Sequence, residues 1–276
     1  MAKAILKGFC FSGDTIYRVR RRQGERTIEE KNIEKVFQRF HLNNYTRVDG
    51  SHDDRVERFF GEQLDNYIPA WIEKFQEALD TNKLRFKNEI DRSRFILFFY
   101  HHIKRNPDFH GPILTSVVKE VFHKNIQREI EAKLGPLSNE EITKLNSPEW
   151  RNKIASNTRV ENISSFSEGI ISRLAGMQIC VASPKHRTKQ FIAASKPVVR
   201  FEDYPNQELG TRGVEMWTTL TPRLAVGFVA GPVRDPILKL GNQDVIKMNE
   251  ALTTQSSEIA GNNSVLLHTL SKKWSP

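Results

Sequence analysis

The sequence predicts an α+β protein with a helical core, an N-terminal β-hairpin and a small, mainly antiparallel C-terminal sheet. Two observations support this fold class. Segments with apolar residues at helical spacing dominate residues 29–174, and short β-type runs punctuated by Pro and Gly follow from residue 178. We expect one domain over residues 1–276, with subdomains 1–176 and 177–276 as the alternative division.

The N-terminal elements are predicted from turn signals and periodicity. An arginine-rich hairpin is expected over residues 13–31, and we place it at an edge or on the surface because neither of its faces is purely apolar. Helical spacing then predicts a short helix over Glu29–Phe40 and a longer one over residues 51–79, kinked at Pro69.

The remaining elements form the core helices and the small sheet. The stretch Asn88–Arg105 is apolar on nearly every side, so we expect a central helix. Further helices are expected over Ile113–Leu134, between Pro148 and Leu174, and over Asp244–Ile259. The short β-type runs predict strands at Ile179–Val181, Phe191–Ala193, Val198–Val199, Met216–Trp217, Leu224–Val229 and Val265–Leu267.

The composition is that of a basic protein without covalent staples. The chain has 42 Lys plus Arg against 33 Asp plus Glu, a formal charge of +9, which favours polyanionic partners. We expect Cys10 and Cys180 to be reduced and buried, because they show no disulfide or zinc spacing. With no signal peptide and no apolar run near the ~20 residues that span a bilayer, we expect a cytoplasmic protein without membrane contact.

The motifs of several enzyme classes are missing from the sequence. It contains no Walker loop, no GxGxxG after a strand, no HExxH, no GxSxG and no zinc-finger spacing. Nucleotide hydrolysis, dinucleotide redox chemistry, zinc proteolysis and α/β-hydrolase chemistry are therefore disfavoured. Whether the protein is an enzyme stays open.

The first candidate site is catalytic and lies on the central helix. Arg94, His101 and Arg105 share one helix face, because they are seven and four residues apart. Imidazole can move a proton near neutral pH and guanidinium can hold a phosphate, which is the chemistry of metal-independent RNA cleavage. The alternative is that His101 and His102 lie at a wet helix end and offset the helix dipole.

The second candidate site is for a metal ion at an acidic helix start. Asp53, Asp54 and Glu57 span one helical turn, and their carboxylates could hold a hard divalent cation such as Mg²⁺. Ordinary helix capping explains the same residues. No other cofactor is expected.

The third candidate site is a basic surface for nucleic acid. It combines residues from the hairpin and from a later segment: Arg18, Arg20, Arg21, Arg22, Lys185 and Arg187. Such residues could track a phosphate backbone. A solvated edge strand explains the hairpin residues equally well.

Several segments together resemble a bacterial family known as domain of unknown function 4238. The segments that carry the likeness are Leu6–Phe9, Tyr45–Asp65, Arg105–Pro107, Phe191–Val199, Thr219–Pro222 and Met248–Asn249. The resemblance covers nearly the whole chain and implies a bacterial or mobile-element origin. It supplies no activity.

The chain departs from the family pattern at two places. The family usually begins with a His-Tyr-Val-Pro segment, and nothing similar precedes Ala4. We therefore expect either that chemistry based on that histidine is absent or that the start codon lies downstream of the true one. Ser195-Lys196-Pro197 also replaces an Asp-Asn pair, which favours a non-catalytic member.

Two functional hypotheses remain. The first is a nucleic-acid-directed protein, such as an RNA-targeting nuclease, toxin or phage-defence effector, with RNA favoured over DNA. The alternative is a non-catalytic interaction or assembly module whose basic surface docks an acidic protein. The sequence fixes neither the substrate nor the oligomeric state.

Overall fold

A computed structural model describes residues 1–21, 26–37, 44–47, 49–105 and 123–274, except the side chains of residues 123–126 and 134. The chain forms two compact units. The larger comprises Met1–Gln38, Gly61–Asn106 and Phe166–Pro276, and the smaller comprises Arg39–Phe60 and Pro107–Ser165. The single-domain interpretation stays a prediction.

The helices and strands alternate irregularly along the chain, as expected of an α+β protein. Within the described residues the helices are α1 (Lys3–Lys7), α2 (Arg55–Gln63), α3 (Ile68–Thr81), α4 (Glu89–Lys104), α5 (His123–Leu134), α6 (Asn139–Asn146), α7 (Pro148–Ser164), α8 (Glu168–Gly176), α9 (Asn242–Gln255) and α10 (Ser264–Ser271). The strands are β1 (Thr15–Arg20), β2 (Ile28–Asn32), β3 (Tyr45–Thr46), β4 (His52–Asp53), β5 (Gln178–Pro184), β6 (Ala193–Ala194), β7 (Val198–Phe201), β8 (Glu215–Thr221), β9 (Leu224–Val229), β10 (Ile237–Leu240) and β11 (Glu258–Gly261).

Two sheets organise the larger unit. One has the strand order β2-β1-β11-β6 and is antiparallel, while the other has the order β10-β5-β9-β8-β7. Only the pairing of β10 with β5 is parallel among the described strands, so the predicted, mainly antiparallel C-terminal sheet is confirmed. The predicted α+β class with an N-terminal hairpin is confirmed as well.

Aromatic side chains from α3 and α4 form the core next to the five-stranded sheet. Phe95 and Phe99 contact Phe228 of β9, with ring centroids 6.0 and 4.6 Å apart. Trp71 of α3 meets Phe95 edge-on and donates its indole N–H to Asp91 at 3.0 Å. Asn88 caps α4 by accepting the N–H of Asp91, so the predicted central helix begins where its sequence signal does.

The smaller unit contains the β3–β4 hairpin, the start of α2, and α5 to α7. The side chain of Asn157 on α7 accepts the N–H of Thr46 at 2.8 Å and donates to its carbonyl at 2.9 Å. One amide thereby satisfies both backbone groups of a strand residue and fixes the hairpin against α7.

The hairpin strands are confirmed, but the predicted edge position is wrong for β1. This strand lies between β2 and β11, because residues of β11 pair with it from Tyr17 to Arg20. The predicted helix over Glu29–Phe40 is also wrong in its described part. Residues 28–32 pair with β1 as β2, and Ile33–Lys35 form a single 3-10 turn.

The long helix predicted over residues 51–79 is two helices, α2 and α3, separated by a 3-10 turn at Asp65–Tyr67. Pro69 lies in the first turn of α3 rather than at a kink, and its missing N–H costs no helical hydrogen bond there. Of the helix predicted over Ile113–Leu134, residues 113–122 lie outside the described residues, and His123–Leu134 is helical.

Two C-terminal predictions need correction. Helix α9 ends at Gln255, and Ile259 belongs to β11. The run Val265–Leu267, predicted as a strand, lies within α10, because the side chain of Asn263 accepts the N–H of Leu266 and starts a helix there. A short apolar run fits either element, and the local cap decides which one forms.

Candidate functional site

The predicted catalytic face runs along α4 from Arg94, in its second turn, to Arg105, the residue that follows its end. The ring of His101 is 1% exposed and meets the ring of Phe166 edge-on, with centroids 5.3 Å apart. His102 is 6% exposed and stacks on Phe98. The interpretation that both histidines occupy a wet helix end is therefore wrong, because both rings are packed into the core.

The two arginines of this face are held by partners within the larger unit. Arg105 forms a bidentate pair with Asp65, with Nη1–Oδ1 and Nη2–Oδ2 distances of 2.9 and 3.1 Å. The guanidinium of Arg94 lies 4.1 Å from the ring centroid of Tyr67, a cation–π contact. A general acid or base must reach its substrate. A catalytic role for His101, Arg94 and Arg105 stays a prediction, and it requires that a buried ring become accessible.

His102 is a neutral packing group. Burial lowers the pKa of its ring well below the usual value, and the amino terminus and Arg105 add repulsion against a second ring proton. Its Nε2 has no hydrogen-bond partner among the residues that the structure describes. The ring is therefore uncharged at pH 7.

The predicted metal ligands are mostly engaged by arginines. Asp53 is 7% exposed and accepts hydrogen bonds from Arg55 and Arg47, and the Arg55 side chain is the main reason that the pKa of Asp53 is well below its usual range. Asp54 pairs with Arg58 at 3.0 Å. Within the described residues, no three His, Cys, Asp or Glu side chains form a group that could hold a metal ion.

The hairpin arginines predicted to bind nucleic acid contribute to the fold. Arg18 is 4% exposed and pairs with Glu29, and its Nη1 lies 3.7 Å from Oε1 of Glu258. Arg20 donates Nε–H to Oε2 of the same Glu258 at 3.0 Å. Arg21 is exposed, and Arg22 lies outside the described residues. Two of the four predicted hairpin contacts are therefore taken by internal carboxylates.

Lys185 and Arg187, by contrast, lie on a basic loop of the larger unit whose backbone is hydrogen-bonded to neighbouring elements. Strand β5 ends at Pro184, and the loop that follows continues alongside β10, since Lys185 donates its N–H to the carbonyl of Leu240 at 2.9 Å. Both predicted side chains are exposed.

A third arginine holds this loop in shape. Arg223, in the turn between β8 and β9, donates from Nη1 to the carbonyls of His186 and Lys189 at 2.8 and 2.7 Å. Its Nη2 donates to the carbonyl of Pro184 at 2.8 Å. Lys239 of β10 donates to the hydroxyl of Ser183, the penultimate residue of β5, at 3.0 Å. One guanidinium therefore satisfies three carbonyls that would otherwise need water.

We call Lys185, Arg187, Lys189, Arg223 and Lys239 the basic cluster. None of the five is in an ion pair with a described residue. The carboxylate of Asp244, in the first turn of α9, accepts the backbone N–H of Gly241 at 3.1 Å. The loop therefore presents positive charge that no carboxylate among the described residues neutralises through an ion pair.

The smaller unit contains a cavity of about 530 Å³. Its apolar lining includes Tyr45, Val56, Phe59, Phe60 and Val160, and its polar lining includes Asp53, Arg55 and Glu161. Tyr45 is 38% and Phe59 47% exposed, whereas Phe60 is buried. Tyr45 pairs directly with Asp53 in the β3–β4 ladder, so both side chains point to the same face of the hairpin.

Sequence analysis missed Arg223, Lys239 and the cavity. Arg223 follows Thr221-Pro222, a turn signal, but its three carbonyl partners come from another loop and leave no periodic trace. Tyr45 and Phe59 lie within a segment that resembles the family, yet their shared surface depends on α7, which is about a hundred residues later in sequence.

No helix within the described ranges is long and apolar enough to traverse a bilayer. The family model described as "Protein of unknown function (DUF4238)" matches residues 2–264. No curated protein and no solved structure matches the chain.

Proposed function

The chain belongs to the DUF4238 family, and we propose from the chemistry of the basic cluster that it binds nucleic acid, RNA in preference to DNA. The observation that carries the proposal is a loop with three cationic side chains, held by Arg223 and followed by Lys239 on β10, in which none of the five cations forms an ion pair with a described residue.

The electrostatics of the cluster support a polyanionic ligand. A nucleic acid presents phosphates at regular spacing, and each cation that neutralises one releases a condensed counterion. The formal charge of the chain, +9, adds a long-range attraction to the same ligand. The cluster thus suits backbone contacts, which give affinity without reading sequence.

The ordered loop adds preorganisation. A loop that must be ordered on binding loses part of its interaction energy to conformational entropy. Here Arg223 already fixes the backbone of residues 184–189, so Lys185 and Arg187 are displayed before any ligand arrives. The proposal covers binding. Cleavage of RNA and a role as a toxin or defence effector stay predictions.

Fluorescence anisotropy with a labelled RNA oligonucleotide and its DNA counterpart, each titrated at several salt concentrations, tests this proposal. The double variant Lys185→Ala, Arg187→Ala is expected to weaken binding and to reduce the slope of log affinity against log salt by about 1.4, since each single-strand contact contributes about 0.7. The matched control is Lys83→Ala, Arg85→Ala, an exposed pair with the same charge change. Equal effects of the two double variants would refute the proposal.

The non-catalytic alternative uses the same surface. An acidic protein would also be attracted by the basic cluster, but protein charges lack the regular spacing of phosphates. Failure of both RNA and DNA to bind at low salt would favour this alternative.

A separate experiment tests the cleavage prediction in the same preparation. Labelled RNA is incubated with magnesium or with chelator, and the protein is compared with the double variant His101→Ala, Arg105→Ala.

A further inference from the structure

We infer that the cavity of the smaller unit binds a mononucleotide unit, with its base against Tyr45 and Phe59 and its phosphate at Arg55. This site is independent of the basic cluster, which belongs to the larger unit. The inference therefore does not depend on polyanion binding and can fail or succeed separately.

The aromatic lining suits a planar ring. Tyr45 and Phe59 leave large parts of their rings exposed, at 38% and 47%, although both line the same concave surface. Phe60 and Val160 line the same cavity and are 1% and 2% exposed. Exposed aromatic rings in an apolar surrounding are the stacking surfaces on which nucleobases bind. The volume of about 530 Å³ lies within the range of small-molecule sites.

The arginines at this site provide oriented donors for a phosphate. The carboxylate of Asp53 is buried and fixes Arg55 through Nε at 2.8 Å and Nη2 at 2.7 Å. Arg47 donates to the same carboxylate from Nη2 at 3.1 Å. The Arg55 side chain is nevertheless 77% exposed, and its Nη1 has no partner among the described residues. One buried carboxylate thus holds two guanidiniums in place while leaving N–H groups available, which is the preorganisation that phosphate recognition uses.

Glu161 determines which way round the ligand lies. It lines the cavity from α7 and is exposed, so its carboxylate would repel a phosphate placed against that helix. A carboxylate does accept N–H groups from the amino-bearing bases adenine, cytosine and guanine. The phosphate therefore belongs at Arg55 and the base edge at Glu161. A simple anion or a purely apolar ligand would use only part of this lining.

Isothermal titration calorimetry of the full chain with AMP, GMP, CMP and UMP tests the inference. At least one amino-bearing nucleotide is expected to bind more tightly than its nucleoside and than inorganic phosphate. Phe59→Leu keeps the apolar volume but removes the ring, and Tyr45→Ala removes the other ring. Each is expected to weaken binding by about fivefold or more, the effect of losing one base–aromatic contact. Arg55→Lys keeps the charge but loses the fork, and is expected to weaken the nucleotide without weakening the nucleoside.

Matched controls separate the site from general effects. Tyr204→Ala removes a 71% exposed tyrosine of the larger unit, and Arg58→Ala removes an exposed arginine of α2 that does not line the cavity. Neither is expected to change nucleotide affinity, and thermal melting checks that every variant folds.

Three results would overturn the inference: no nucleotide binding at millimolar concentration, binding that Tyr45→Ala and Phe59→Leu leave intact, or nucleosides binding as tightly as nucleotides. The double variant Lys185→Ala, Arg187→Ala is expected to retain mononucleotide binding while losing oligonucleotide affinity. If this double variant lost mononucleotide binding together with oligonucleotide binding, that result would also count against a separate site in the smaller unit.

Discussion

Replacing Glu258 with glutamine is expected to destabilise the larger unit by about 3 kcal/mol, because it removes the charge that offsets two arginines. The Glu258 side chain is 10% exposed, and it lies 3.7 Å from Arg18 Nη1 and 3.0 Å from Arg20 Nε. Removing one partner of a buried ion pair costs about 3–5 kcal/mol. The lower end applies here, because glutamine keeps an oxygen for the N–H of Phe37 and Glu29 still faces Arg18.

Urea unfolding followed by far-UV circular dichroism at pH 7 measures this loss. The control is Glu34→Gln, which breaks an ion pair between two exposed side chains, Lys3 and Glu34, and is expected to leave the midpoint unchanged. The same two preparations are then titrated with RNA. If Glu258→Gln left stability unchanged and tightened RNA binding, the hairpin arginines would be available for ligands, and our assignment of Arg18 and Arg20 to the fold would be refuted.

Three further results follow from packing and burial. A Cβ atom at Gly227 would lie 2.4 Å from the Trp217 ring, so Gly227→Ala is expected to lower the free energy of unfolding in urea by about 1–3 kcal/mol. Gly61 in α2 has open space around it, so Gly61→Ala is expected to raise the free energy of unfolding by about 0.5–1 kcal/mol. Equal effects of the two substitutions would contradict this packing. Ellman's reagent should modify Cys10 but not Cys180 in the folded protein, because burial raises the pKa of Cys180 to about 12, and both thiols should react in urea. Below about pH 6.5 the unfolded chain binds a proton at His102 that the folded protein excludes, so stability should fall as pH drops, by up to about 1.4 kcal/mol per pH unit. His102→Leu should remove that part of the slope, and an unchanged slope would show that other groups cause it.

The long helices could be predicted from the sequence because their signals are local. The helix α4 combines an Asn88 cap with apolar residues on nearly every side, and both lie within one continuous stretch. The position of β1 could not be predicted in this way. Its second neighbour, β11, comes more than two hundred residues later, so alternation within the hairpin indicates strands but not which edge is covered.

The candidate sites could not be predicted fully for the same reason, because the contacts of their side chains depend on residues that are distant in sequence. The sequence identifies arginine-rich segments, but it does not distinguish Arg18, which is paired inside the fold, from Arg187, which is exposed. Charge type is a property of the residue, whereas pairing depends on carboxylates from distant segments such as Glu258. The cavity was missed for a related reason, since its walls come from β3, α2 and α7.

The segments that resemble the family contact one another in pairs. A Cβ at Gly8 would lie 3.1 Å from Thr221, which joins Leu6–Phe9 to Thr219–Pro222. The amide of Asn249 accepts the N–H of Ile192 at 3.2 Å, which joins Met248–Asn249 to Phe191–Val199. These contacts satisfy backbone groups and permit close packing, so they account for these four segments as parts of the fold.

The third pair of segments, Tyr45–Asp65 and Arg105–Pro107, contains residues that take no part in the contact between the two segments. Arg105 joins the segment Tyr45–Asp65 through its bidentate pair with Asp65. That pair explains the end of the segment but not its beginning, where Tyr45 and Phe59 expose their rings at a cavity. These rings stay in contact with water and bury little apolar area, so they add little to stability, and apolar surface exposed at a cavity is typical of a ligand site. Among the segments that carry the family resemblance, this one is therefore where a ligand is best sought, whereas the basic cluster lies outside all of them.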